Sequence, residues 1–490
     1  MSNTFVLMRP IPFVSNPRSL TLLALVVLGG APASAEVRLA RIFSDNMMLQ
    51  RDKPVRVWGS ADPDEAVKVS LNGKNAATKA GANGQWSVEL AALKAGEDLE
   101  LQVEGKNTIT LRNVMIGDIW VCSGQSNMEW RLEGCLGWEA DSKAADLPKI
   151  RRIKMEHVQA ATPQDEAPIT GPWQVCNPDT VRGFTAVGFY FAREVQAKTG
   201  VPIGIIDVNW GGTRIEPWIA VEGIGMVKEL EGTSPAANGG WCGMYNAMIH
   251  PLVRMPIKGA LWYQGESNGG EGETYYDKMR ALIGGWRKQW GQGDFPFYFT
   301  QLASFQAPNE NPAGGDGWAK HREGQRKSLT VPNTGMAVSI DTVPLAQAGD
   351  IHPGNKYDVG IRLARWALNR DYGMKDLVVS GPLFKELKIS GSKAVVSFDH
   401  VGGGLTVAAK VGREPAVADS SGKLQRFAIA GEDQKWVWAD AVVQGSTVVV
   451  SSPEVPKPVA VRYAFSQNPH GANLYNKEGL PASPFRTDNW

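Results

Sequence analysis

Apolar and polar positions change their rhythm twice along the chain. Between Glu36 and about Asn113, apolar residues recur at every second position in short runs: Val55-Arg56-Val57-Trp58, Val67-Lys68-Val69-Ser70-Leu71 and Leu99-Glu100-Leu101-Gln102-Val103. Turn signals such as Asn72-Gly73 and Gly81-Ala82-Asn83-Gly84 separate them. This pattern predicts a small antiparallel β-sandwich over 36–113. From Val114 to about Lys375 the runs become continuously apolar, as in Ile119-Trp120-Val121-Cys122, Ile203-Gly204-Ile205-Ile206-Asp207-Val208, Gly259-Ala260-Leu261-Trp262-Tyr263 and Phe297-Tyr298-Phe299. Helical patterns lie between them over 187–198, 275–290 and 356–369. Such alternation predicts an α/β domain over 114–375 with a mostly parallel sheet. Over 376–490 the runs Ala394-Val395-Val396-Ser397-Phe398, Val448-Val449-Val450 and Val459-Ala460-Val461-Arg462-Tyr463 restore the β pattern. They predict a C-terminal β-rich region packed on the α/β domain.

The first 35 residues follow a different logic. Arg9 and Arg18 precede an apolar run, Leu20 to Leu28, and small residues follow, ending Ala33-Ser34-Ala35. A charged segment, a short apolar core and an A-x-A end describe a secretory signal peptide. The run is short for a membrane span. The expectation is cleavage after Ala35, no membrane insertion of the mature chain, and a periplasmic or secreted location.

Charge narrows the partners. Lys and Arg number 51 against 50 Asp and Glu, a formal net charge of +1, so no basic bias favours nucleic acid or an anionic membrane. The 4 cysteines, Cys122, Cys135, Cys176 and Cys242, are too few for a disulfide framework and form no zinc-type spacing. Cys135 and Cys176 are the pair to test for bonding, and Cys122 reads as a buried thiol. No metal or organic cofactor is expected.

Four short segments carry candidate chemistry. Ser123-Gly124-Gln125-Ser126-Asn127-Met128 follows a buried strand, the place where α/β sheets present ligands and nucleophiles, although Ser and Asn also begin helices. Asn209-Trp210-Gly211-Gly212-Thr213-Arg214 follows another strand; paired glycines leave backbone N–H groups accessible, which suits an oxyanion hole or simply a strand-to-helix turn. In Trp262-Tyr263-Gln264-Gly265-Glu266-Ser267-Asn268, Gln264 has an amide to give an oxyanion, and Glu266 or Asn268 can order the site. Asp350-Ile351-His352-Pro353 precedes the helix starting near Lys356. Of the 6 histidines, His352 has the best claim to be a general base, with a carboxylate two positions upstream.

These segments, in this order, resemble the sialate O-acetylesterase family of the SGNH hydrolases. The resemblance extends through Tyr245-Asn246-Ala247-Met248-Ile249 and Asn473-Leu474-Tyr475-Asn476 and covers nearly the whole mature chain. It implies an SGNH-like domain that releases acetate from O-acetylated sugars, with Ser126 as nucleophile, His352 as base and Asp350 orienting it. The implied oxyanion donors are the Ser126 N–H, the Gly211-Gly212 pair and the Gln264 side chain. Gln125, Trp210, Arg214 and Trp262 are candidates for substrate binding, Arg214 as a partner for a sugar carboxylate. One departure is the spacing Asp350-x-His352, where SGNH enzymes commonly carry Asp-x-x-His. That leaves open whether Asp350, Glu266 or a backbone carbonyl orients the imidazole. Acetylated xylan or another hemicellulose is the rival substrate. A non-catalytic carbohydrate-binding protein and a peptidase or lipase are the rival classes, the latter without a G-x-S-x-G elbow around Ser126.

Overall fold

A computed structural model describes residues 36–233 and 240–490. The expected signal peptide lies outside the described residues. At the centre is a sheet whose seven main strands run in the spatial order β3-β2-β4-β1-β5-β6-β7. They are β1 (Thr108–Gly124), β2 (Leu147–Lys154), β3 (Gln174–Cys176), β4 (Ile203–Asn209), β5 (Gly259–Tyr263), β6 (Phe297–Thr300) and β7 (Thr334–Ala337). All neighbours pair in parallel except β3, which runs antiparallel to β2 at one edge. Strands β4 to β7 are buried along their whole length, which is why they read as unbroken apolar runs.

Helices cover the faces. The longest are α2 (Ala186–Thr199), α3 (Tyr275–Trp290) and α5 (Lys356–Arg370), with α4 (Gly317–Lys327) between the last two. In α3, Met279, Leu282, Ile283, Trp286 and Trp290 form one buried stripe, and Gly291 closes the helix in the left-handed conformation. Asn355 caps α5 by accepting from the Asp358 N–H.

The boundary expected at 113/114 falls inside β1. This 17-residue strand pairs first with Gly96–Glu104 and Met48–Gln50, then with β4 and β5. One continuous sheet of eleven strands therefore joins the N-terminal region to the parallel core. Val55–Ser60 pairs on either side with Arg38–Leu39 and Gln85–Leu90 in a separate three-stranded antiparallel sheet.

The C-terminal region forms three further antiparallel sheets around its own apolar core, including Val396, Val448, Val450, Ile429 and Phe485. Buried Arg322 on α4 holds it in place. Its guanidinium donates to the carbonyls of Leu302 and Ala303 on one side and of Ser466 and Gln467 on the other. All four cysteines are unpaired and buried. Cys135 and Cys176 are not bonded: their thiols face the carbonyls of Arg131 and Ala145 respectively.

Candidate active site

Strand register brings the segments together. Gly124, the last residue of β1, lies opposite Asn209 on β4 and opposite Tyr263 on β5, so three chains leave the sheet at one level. Two bonds continue the alignment past the strand ends: Gln125 N–H to the Tyr263 carbonyl at 3.0 Å and Trp210 N–H to the Gly124 carbonyl at 3.1 Å. Gly124 is required by this crowding. A Cβ there would sit 2.1 Å from the Tyr263 carbonyl oxygen, and its φ is +137°. The chain then turns into the short helix α1 (Ser126–Glu129), which presents Ser126 half-buried at the carboxyl edge of the sheet.

His352 arrives from the loop before α5. Its Nε2 lies 2.8 Å from Ser126 Oγ, within hydrogen-bond distance. The imidazole stacks on Trp130, with ring centroids 4.6 Å apart and planes 18° from parallel. Burial, and after it the charge of Lys356, hold its pKa below the ordinary histidine value, with Asp350 pulling the other way. The shift favours the neutral ring.

Asp350 does not hydrogen-bond the imidazole. Its Oδ1 accepts the backbone N–H of His352 at 2.8 Å, while the ring Nδ1 is 3.7 Å away. With side chains only two positions apart, the carboxylate is spent on turning the loop. Glu266 does not reach the ring either; its Oε1 accepts from Asn127 Nδ2.

Gln264 is buried and its amide is taken up. Nε2 faces Gln125 Oε1 at 3.0 Å, the Thr213 carbonyl at 3.1 Å and Asn268 Oδ1 at 2.8 Å. Two hydrogens with three acceptors leave nothing for an oxyanion. Gln125 is likewise internal, accepting also from Ser267 N–H. Asn268 binds the Ile215 N–H and donates to Glu216. These amides lock the β5 turn to the Gly211-Gly212 turn. Gly211 packs against Ser126, and its N–H donates to Glu129 Oε2 at 2.7 Å. The Gly212 N–H meets no acceptor among the described residues.

Two expected substrate contacts are structural. Trp262 is buried, donates to the Tyr275 hydroxyl and packs edge-on against Trp218 and Trp286. Arg214 is paired with Glu216 and Glu271. Trp210 remains at the site, half-buried and stacked on His157 at 4.7 Å. His157 Nε2 contacts Glu129 Oε1 at 2.8 Å. This Glu129–His157–Trp210 cluster went unnoticed in the sequence, although Glu129 stands one turn from Ser126. A cleft of about 890 Å³, lined by Glu129, Arg131, Arg152, Lys154 and His157, adjoins the 380 Å³ pocket over Ser126 and His352. Among the described residues, no group of three or more His, Cys, Asp or Glu is placed to hold a metal ion.

Fold and relatives together define the class. The chain is 41% identical to a carbohydrate acetylesterase from Xanthomonas citri whose crystal structure superposes with a TM-score of 0.83, covering 93% of this chain and all of that one. The molecule is a carboxylic ester hydrolase with a carbohydrate-esterase fold. Residues 116–369 match the family described as carbohydrate esterase, sialic acid-specific acetylesterase, and the chain belongs to that family. It is similar to the sialate O-acetylesterases of Homo sapiens, at 28% identity over 94% of this chain and 95% of that protein, and of Mus musculus, at 29% over 77% and 82%.

Proposed function

We propose that the protein removes acetyl groups from sugar hydroxyls through an acetyl-enzyme on Ser126. The single observation that carries this reading is the 2.8 Å approach of Ser126 Oγ to His352 Nε2. His352 takes the hydroxyl proton as Oγ attacks the acetyl carbonyl. The tetrahedral oxyanion is met by the Ser126 N–H, which has no intrahelical acceptor at the start of α1, and by the Gly212 N–H. His352 returns the proton to the departing sugar oxygen. It then activates the water that releases acetate. Gln264 and Asn268 order the two turns, and Asp350 shapes the histidine loop.

The sugar ring lies in the cleft beside Glu129 and His157, where several polar side chains converge. By likeness to the mammalian relatives, O-acetylated sialic acid is the first substrate. A neutral acetylated polysaccharide such as xylan is the second, favoured by one observation: Arg214, the expected carboxylate partner, is already neutralised by Glu216 and Glu271. Residues 1–35 carry the proposal that the enzyme works after export. The test is acetate release from an aryl acetate, O-acetylated sialic acid and acetylated xylan by the wild type and by Ser126→Ala. The variant is expected to lose at least about a thousandfold in kcat while keeping its unfolding midpoint. Retained hydrolysis in Ser126→Ala would overturn the nucleophile assignment.

A further inference from the structure

The loop that carries His352 is gripped on both sides of the histidine from one buried point. Asn127 Nδ2 donates to the Ile351 carbonyl at 3.0 Å, just before it. Lys356 Nζ donates to the Pro353 carbonyl at 2.5 Å, just after it, and to Asn127 Oδ1 at 2.7 Å. The ammonium group also lies 5.6 Å from the centre of the Trp130 ring that stacks on the imidazole. Lys356 is wholly buried, and Asn127 is 1% exposed. Behind them, Asn127 Nδ2 also donates to the Glu266 carboxylate, whose second oxygen is buried without a partner.

A lysine is costly to bury, and this one has its pKa pushed down to about 8 by burial. Among the described residues it makes no direct ion pair to offset that cost. What it does make are bonds to the histidine loop and to the residue that follows Ser126. We propose that Lys356 is a positioning residue for His352. Through Pro353, Asn127 and Ile351 it fixes the height of the imidazole over Ser126, a task that the Asp350 carboxylate, bonded to backbone, leaves open. This inference rests on the Ser126–His352 reading. Lys356, the first residue of α5, bonds Asn127 and the Pro353 carbonyl rather than Ser126 or the imidazole.

Charged groups around the imidazole are Asp350 on its own loop, Lys356 on α5, Glu266 behind Asn127, and Glu129, Arg131 and Glu133 on the segment after Ser126. Removing the lysine charge lets the histidine take a proton more easily, so the acid limb of kcat/KM moves to higher pH. The experiment is steady-state aryl acetate hydrolysis by the full chain across pH 5–9, with urea midpoints measured in parallel. Lys356→Met is expected to lower kcat by ten- to a hundredfold, leave KM within about twofold, and raise the acid limb. Lys356→Arg keeps the charge and is expected to leave the limb in place. A Lys356→Met enzyme with wild-type kcat and limb would overturn the proposal, as would a loss accounted for by unfolded protein. Should Lys356→Met not fold, Asn127→Ala carries the test: kcat within twofold of wild type overturns it, and a tenfold or greater fall with KM unchanged supports it. Activity in Ser126→Ala would instead sink the reading beneath it, so the two failures are distinguishable.

Discussion

At the scale of single residues, the site works by contacts that the order of the chain conceals. His352 was legible because it alone joins a nearby acid to a loop before a helix. The partner it was expected to use was not. Asp350 spends its Oδ1 on the His352 N–H, leaving 3.7 Å to the ring, and no sequence pattern reveals which of two donors a carboxylate will choose. Asp350→Asn is therefore expected to cost tenfold or less in kcat, against about ten-thousandfold for removal of a bonded triad carboxylate; kinetics of the purified variant decide between them. The pH profile follows from His352. Its pKa lies below the ordinary 6.5, and the base acts unprotonated, so kcat/KM should hold below pH 6.5 and fall only as pH drops through the lowered value. An acid limb above 6.5 would contradict this. Arg214 and Trp262 show the opposite difficulty. Both residue types suit sugars, but Arg214 is held by Glu216 two positions on and by Glu271 from another segment, and the indoles that enclose Trp262 also come from other segments.

Elements were read more faithfully than contacts. The helix expected over 275–290 is found at Tyr275–Trp290, and those over 187–198 and 356–369 at Ala186–Thr199 and Lys356–Arg370. Tyr275–Trp290 and Lys356–Arg370 bury one apolar face, whereas Ala186–Thr199 is buried all round over its first two turns. Strand β2 carries no apolar run, because Lys149, Arg151, Arg152 and Lys154 break it; Arg152 pairs with Asp207 on the adjacent β4, and Lys154 with Asp207 and Glu129. The short π-helix Tyr245–Ile249 was likewise invisible, its residues buried all round without helical periodicity. The turn out of β1 is tightly packed. Gly124→Ala would force a methyl onto the Tyr263 carbonyl, so a loss of about 3 kcal/mol in unfolding free energy is expected, together with a fall in kcat. Urea titration and aryl acetate kinetics on one preparation measure both.

Over the whole molecule, buried polar groups tie regions that separate apolar cores would leave independent. Arg322→Met would strand carbonyls of both the parallel core and the C-terminal region, costing on the order of 3–5 kcal/mol and visible as a lower thermal midpoint. His321, beside it and fully buried, stays neutral to about pH 3 because burial disfavours its charged form. The unfolded chain takes up that proton near pH 6.5, so it binds more protons between 6.5 and 3, and stability falls as pH falls through that window. The contribution is of the order of 5 kcal/mol at full development, and His321→Gln should flatten the slope of urea midpoints measured from pH 7 to pH 4.

Strand β1 begins in one region and leads to Ser126, the proposed nucleophile, in another. Ser126 thus stands at the tip of a beam whose root is clamped by Gly96–Glu104 and Met48–Gln50. A chain cut to begin at Val114 would expose fresh edges at that root and loosen the platform under Ser126. The N-terminal module is, mechanically, a foundation rather than an appendage, and shuffling it onto other proteins would carry the reaction centre's support away with it.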